Sequence, residues 1–569
     1  MRAIIWLTYA KRPLKISELQ HALAVHRGAK TFDEDDVAAE ETIISVCCGL
    51  IVVDQESQIV PFVRECIFGV RPRRLMVIFL DFTAVDFFKK LGPKLCPTPQ
   101  TLITESCLSY LSSSQFTRGK ISDQEALETF LKAEDRPLHD YAYNFWGSHS
   151  RRCFEEVGLT NAVSEFLEKW GQYPCMIDGS NFDLFERCHI VAYYGLQRIS
   201  SLANGLCNQL TPITKSTPLI LACGRGNEET VKVLLSQDEV AVNTERKDGC
   251  TALHTASDKG HEEVVRLLLA RSDIDINTQA NEGHTALYAA SRNGYDAVVK
   301  LLLSHKEAAV NTQIKDGWTA LSAAACNGHD EVVKLLLSHD HNKVDINTQT
   351  ETGWTALSAA SCNGHDEVVK LFLSQSHNEP DVNIQMENGW TALSAASSNG
   401  HDAVVRLLLA HDEIAVNTQT EDGRTALYAA SHDGHDAVVK LLLSHNKTAA
   451  DIQTKEGQTA LYAASSNGHD TIVKLLLSHN NIAVNTQTEN GWTALGVASS
   501  NGHEEVVRLL LARNEIAVNT QTEDGRTALY AASQNSHDTV VKLLLSHNET
   551  ACNTQTEVGW NLDGTQRSV

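Results

Sequence analysis

The decisive stretch runs Gly317-Trp318-Thr319-Ala320-Leu321-Ser322-Ala323-Ala324-Ala325-Cys326-Asn327-Gly328-His329, then Asp330 to His339, then Val344-Asp345-Ile346-Asn347. Its triplet recurs as Thr-Ala-Leu or Thr-Pro-Leu at Thr217, Thr251, Thr285, Thr319, Thr355, Thr391, Thr425, Thr459, Thr493 and Thr527, at spacings of 34 residues with two of 36. A fixed period of this length marks stacked helical units. The Thr hydroxyl is a good N-cap for a first helix, whose small Ala and Ser residues allow close approach. Asn-Gly ends that helix, because glycine takes the left-handed cap. Val332, Val333, Leu335, Leu336 and Leu337 give the second helix an apolar girdle, with Lys334 outward. A girdle that wide needs cover from both neighbours, so the units fold only as a stack. Asp316-Gly317, Asn388-Gly389, Asp422-Gly423, Asn490-Gly491 and Asp524-Gly525 are tight-turn dipeptides at the tip of a projecting finger. The two longer units place their extra residues at 340–343 and 375–378, after the second helix, where an insertion only lengthens a loop.

Period alone leaves tetratricopeptide repeats open, since they also run at 34 residues. The wording resembles the ankyrin repeat: T-A-L-x-x-A for T-P-L-H-x-A, then G-H, then V-V-K-L-L-L, over residues 217–560. Cys188 to Gly195 matches the same phase and predicts a degenerate unit within 171–216. The resemblance implies an all-α dominated ankyrin-repeat solenoid of about ten repeats, with a frayed tail at 561–569. No polar capping unit follows Val540, Val541, Leu543 and Leu544, so that end is expected to fray.

Upstream, residues 3–25 read as helix, Pro13 break, Ser17 N-cap and second helix. A third helix across Glu41 to Cys48 and a hairpin from Leu50 to Val63 complete a winged-helix layout over 1–64. W-L-T-Y-A-K-R-P-L-K-I-S-E-L-Q-H-A-L-A-V and S-V-C-C-G-L-I-V-V-D resemble the winged-helix segment of fungal NACHT–ankyrin proteins, which are signalling ATPases of the STAND or NLR-like kind. P-L-H-D-Y-A-Y-N-F-W-G-S-H-S-R (137–151) resembles their helical linker, giving a linker domain over 82–170. Residues 65–81 depart from the family as an atypical insertion: Arg71, Arg73 and Arg74 beside Leu75–Leu80 could be read as a membrane-touching patch, but an unstructured insertion or a mistranslated intron is the expected reading. No G-x-x-x-x-G-K-[ST] occurs, and without that loop nothing cradles a triphosphate. The resemblance therefore implies the C-terminal part of such a receptor, with its nucleotide-binding module supplied separately or lost through a truncated start.

The formal net charge is −23. Residues 1–216 hold 23 basic and 26 acidic residues, net −3, so the repeat array carries the remaining −20. Polyanions seek basic surfaces, which argues against nucleic acid and anionic membranes as partners. The 14 cysteines form no C-x-x-C pair, so a zinc ribbon or disulfide scaffold is not expected. No apolar run reaches the roughly 18 residues of a membrane span. The composition predicts a soluble cytoplasmic protein without cofactor or metal.

The candidate sites follow from what varies between units. Seven units carry G-H, at His261, His329, His365, His401, His435, His469 and His503. Stacked helices lie roughly 8–10 Å apart, too far for shared zinc ligation at about 2 Å, so these histidines should bond neighbouring loop backbone. Ser, His and Asp recur in every unit, but a triad needs one convergent arrangement; no enzyme is expected. Five of eight tryptophans, Trp318, Trp354, Trp390, Trp492 and Trp560, share one phase between the finger Gly and the capping Thr. The same phase holds Cys250, His284, Arg424, Gln458 and Arg526 elsewhere. Such tolerance is not that of buried core, and Trp and Arg dominate binding hot spots. The partner-binding candidates are Trp318, Trp354, Trp390, Trp492, Arg424, Arg526 and, from the variable pair before G-H, Arg292. The competing reading has each Trp pack on the next finger. The expected partner is a protein with a neutral-to-basic surface. A winged helix reading DNA is the alternative, but residues 1–63 offer only Arg2, Lys11, Arg12, Lys15, Arg27 and Lys30, and the helix after Ser17 carries Glu18.

Overall fold

Short helices in pairs make up most of this molecule, because each 34-residue unit holds only two stretches able to bury an apolar face. The computed structural model describes residues 2–12, 14–25, 37–39, 98–113, 123–131, 138–153, 160–169, 173–177, 181–196, 208–339, 344–375, 378–479 and 482–547. Among these are 27 helices and two short strands, and the chain divides into two units, 1–281 and 282–569. The expected hairpin at 50–63, the insertion at 65–81, Trp560 and the tail lie outside the described residues.

In the first unit, α1 (Arg2–Tyr9) and α2 (Ile16–Ala24) pack with α3 (Pro99–Ser113), α4 (Gln124–Leu131), α5 (His139–Cys153) and α6 (Thr160–Lys169). Trp6, Leu19, Ile103, Cys107, Leu127, Tyr141, Trp146 and Leu167 are fully buried in one shared core. Ser17 is not the N-cap of α2. The helix begins one residue earlier, at Ile16, and its N-cap is Lys15, whose N–H donates to the Glu18 carboxylate at 2.7 Å. Within the stretch read from sequence only as a degenerate unit, two antiparallel strands pair, β1 (Tyr173–Ile177) and β2 (Asn181–Phe185). α7 (Arg187–Tyr194) follows and ends on Gly195 at φ 71°, the ending the repeats use.

Each repeat then runs finger, first helix, turn, second helix. Thr319 caps its helix by accepting from the Ser322 N–H at 3.2 Å, and the same cap recurs at the other nine triplets. Each such cap contributes about 1 kcal/mol. First helices pack on first helices and second on second within each unit. The girdle is narrower than its apolar run suggests: Val332, Val333 and Leu336 are buried, whereas Leu335 and Leu337 are only half-buried. Eight residues cover barely two turns, and neighbours on two sides leave the remainder of the circumference open. At the finger, Gly317 sits at φ 84°, and a Cβ there would stand 2.7 Å from Thr350 Cα of the next finger.

Candidate partner-binding face

The residues that recur most between repeats are spent on holding repeats together. His365 and His401 place Nε2 at 3.0 and 2.9 Å from the carbonyls of Cys326 and Cys362, one repeat back. The same bond joins His261 to Gly224, His329 to Arg292, His435 to Ser398, His469 to His432 and His503 to Ser466. The G-H histidines therefore bond loop backbone, as expected, and His537 repeats the bond behind Ser536. Asn363 and Asn399 donate to the same two carbonyls from Nδ2. Gln385, Gln419, Gln453 and Gln487 each bridge their own finger to the next. Of the variable pair before G-H, the Asn is thus committed to structure.

The phase before the capping Thr is different. Trp318, Trp354, Trp390 and Trp492 are half-buried, Arg526 is half-buried and Arg424 is exposed. Trp318 packs against a cluster of Tyr288, Ile314 and Ala323, from the preceding repeat, its own finger and its own helix. Trp492 lies over the first turn of its helix, where a Cβ on Gly496 would stand 3.0 Å from its ring. His284 stacks on Tyr288 at 4.9 Å, and the Arg424 guanidinium lies 5.7 Å from the Tyr428 ring. Arg526 reaches Asp524 at 3.7 Å. Arg292 stands apart, exposed at the far end of its first helix.

These contacts expose a pairing that a reading of one column misses. Trp318, Trp354, Trp390 and Trp492 are followed four residues later by Ser322, Ser358, Ser394 and Gly496; His284, Arg424, Gln458 and Arg526 are followed by Tyr288, Tyr428, Tyr462 and Tyr530. The residue before the capping Thr meets the third helical residue in the pairs His284–Tyr288, Arg424–Tyr428 and Trp492–Gly496, and outside the His284 pair each pair carries at most one large ring. The ring comes from the finger as Trp or from the helix as Tyr. Comparing both columns of the sequence would have revealed it.

The thiols are poor nucleophiles, because burial pushes Cys250 up to about 11 and Cys175 to about 12, and raises Cys326 and Cys362. Among the described residues, no group of three or more His, Cys, Asp or Glu could hold a metal ion, and no helix is long and apolar enough to cross a membrane.

An ankyrin-repeat family model matches residues 188–280, 271–350, 340–420, 412–488 and 481–556 in overlapping three-copy blocks. The chain belongs to the ankyrin-repeat family. A second model, the winged helix domain of GPI inositol-deacylase, matches residues 1–68. Neither matched region is a catalytic domain, and no curated protein matches the chain. This ankyrin-repeat protein thus joins a winged-helix segment to a protein-interaction array.

Proposed function

We propose that the protein is the partner-binding and relaying part of a fungal NACHT–ankyrin, NLR-like receptor, acting in the cytoplasm without catalysis of its own. The repeats bind a protein partner, and the winged-helix and linker segments couple that event to a nucleotide-binding module. One observation carries the binding reading: the G-H histidines, and Asn and Gln in several repeats, are used in inter-repeat bonds, while the Trp/Arg phase varies and stays at least partly accessible. The net −20 of the array supports a neutral-to-basic partner surface. The order of the two matched families, winged helix before ankyrin repeats, supports the receptor reading.

The winged helix as a DNA reader fits poorly. Arg2 donates to the carbonyls of Ala22 and Val25, and Arg12 pairs with Glu18 and Asp140. Cations turned to such partners supply little of the phosphate attraction that DNA binding requires.

Capture of cell proteins on the full chain, compared with a chain carrying Trp318→Ala, Trp354→Ala and Trp390→Ala, tests the reading. A bound set that persists unchanged on the folded variant would remove the face assigned here. Co-purification of a nucleotide-binding protein would support the relay.

A further inference from the structure

Three consecutive repeats, those opening at Thr319, Thr355 and Thr391, all carry the indole on the finger, with Trp318, Trp354 and Trp390 each followed four residues later by a small residue, Ser322, Ser358 and Ser394. Flanking repeats carry the ring on the helix, with Tyr288 and Tyr428 buried beneath His284 and Arg424. Only in the central three does an indole form the outer layer without interruption. Beside it the finger tips present exposed carboxylates at Asp316, Glu351 and Glu387. Main-chain bonds hold these tips in a row, Glu351 N–H to the Asp316 carbonyl and Glu387 N–H to the Thr352 carbonyl, each at 3.2 Å. Lys315, the cation of this row, lies 3.5 Å from Glu282.

The spacing of the row selects a ligand geometry. Packed helices repeat at roughly 8–10 Å. A β-strand returns a side chain to one face every second residue, about 6.6–6.8 Å, and its residues i and i+3 point oppositely. A polyproline II segment returns to one face every third residue, about 9.3 Å. Trp faces and adjacent carboxylates together favour a cation that can stack, and arginine does both.

We infer that the Trp318–Trp354–Trp390 strip binds an extended, polyproline II-like segment with Arg or Lys at every third residue. The inference rests on the partner-binding reading above and specifies its ligand. Each indole takes one cationic side chain, whose head meets the carboxylate of the neighbouring tip.

The test uses the full chain and labelled peptides of four Arg-Pro-Pro triplets, against peptides with as many Arg at every second or every fourth residue, read by anisotropy near physiological salt. The variant is Trp318→Arg/Ser322→Tyr with Trp354→Arg/Ser358→Tyr and Trp390→Arg/Ser394→Tyr, which installs the pair already present at Arg424 and Tyr428. The array already accommodates this pair at Arg424 and Tyr428, so the melting temperature should hold, while affinity for the triplet peptide falls about thirtyfold or more. Should the variant lose its fold, Glu351→Gln with Glu387→Gln, both exposed, should still weaken binding and flatten its salt dependence. Equal affinity for all three spacings would overturn the inferred geometry and leave the interface standing. So would failure of every basic peptide while cell partners remain sensitive to the variant. Peptide and partner binding that both survive in the folded variant would overturn the interface as well.

Discussion

The helical module at the front of the chain and the repeat array are held together in opposite ways. In the first, contacts occur once. Arg12 reaches Glu18, six residues on, and Asp140, 128 residues on, both at 2.7 Å. The Lys11 N–H donates to the Tyr141 hydroxyl, which meets His149 Nε2 at 2.9 Å, and the other ring nitrogen of His149 meets Gln100. In the array the same few bonds are written again in each unit, so a single loss is diluted among equals. One-off networks fail together, whereas repeated rungs fail one at a time.

The largest test of that contrast is Arg12→Met. Glu18 is only 3% exposed, and removing its partner leaves a buried carboxylate uncompensated, at about 3 kcal/mol. The value belongs at the low end of the usual range, because Arg12 itself is 32% exposed. Denaturant unfolding should show the loss in the first unit, and Arg12→Met with Glu18→Met should recover most of it. An undiminished midpoint for the single variant would show that the front module is as tolerant as the array.

Within the array the sharpest break comes at the ring-sharing pair. Ser358→Tyr beneath Trp354 crowds one patch with two rings and should cost about 1–3 kcal/mol. Trp354→Arg alone loses the indole's packing. The two together should approach wild type, a coupling of about 1–3 kcal/mol in a double-mutant cycle. Simple additivity would mean that the two positions do not share a site.

This contrast also explains what the sequence disclosed. Helices, caps and G-H rungs of the array were legible because each physical requirement is stated many times over, the capping Thr ten times and G-H seven, and chance cannot mimic Thr before every first helix. The front module states each requirement once. Nothing local marks Lys15 over Ser17 as N-cap; the choice turns on Glu18, which must face both Lys15 and Arg12. The pairing of β1 with β2 is fixed by long-range contacts, such as the Tyr143 hydroxyl on the Pro174 carbonyl and Thr214 on Asp183. At the candidate face the Trp column was visible, but its partner column was masked by the ordinary look of Ser and Tyr on a helix.

The two regions should also part in acid. Burial lowers the pKa of His189, opposed by its bond to the Gln209 carbonyl. The Glu186 N–H donates to Nδ1, so the neutral ring donates from Nε2. With the folded value below the unfolded one of about 6.5, the unfolded chain binds the proton more readily between them. Stability is full above that range and falls as pH drops through it. His189→Gln should flatten this slope in the first unit's melting temperature; an unchanged slope would assign it to other groups.

The smallest effect tests whether repetition is always useful. Ser361, Ser397, Ser431, Ser465 and Ser499 each bury a hydroxyl with no hydrogen-bond partner in the first helix. Two units already dispense with it, holding Cys223 and Ala325 at this place. A buried hydroxyl left unpaired costs free energy, and Ala is the better helix former. Ser397→Ala should therefore raise stability by about 0.5–1 kcal/mol, seen as a later array transition in denaturant. Ser361→Ala should do the same and add to it, since the two sites share no partner. A loss at either would mean that the hydroxyl is paired after all, and that this row is another set of rungs rather than a duplicated flaw.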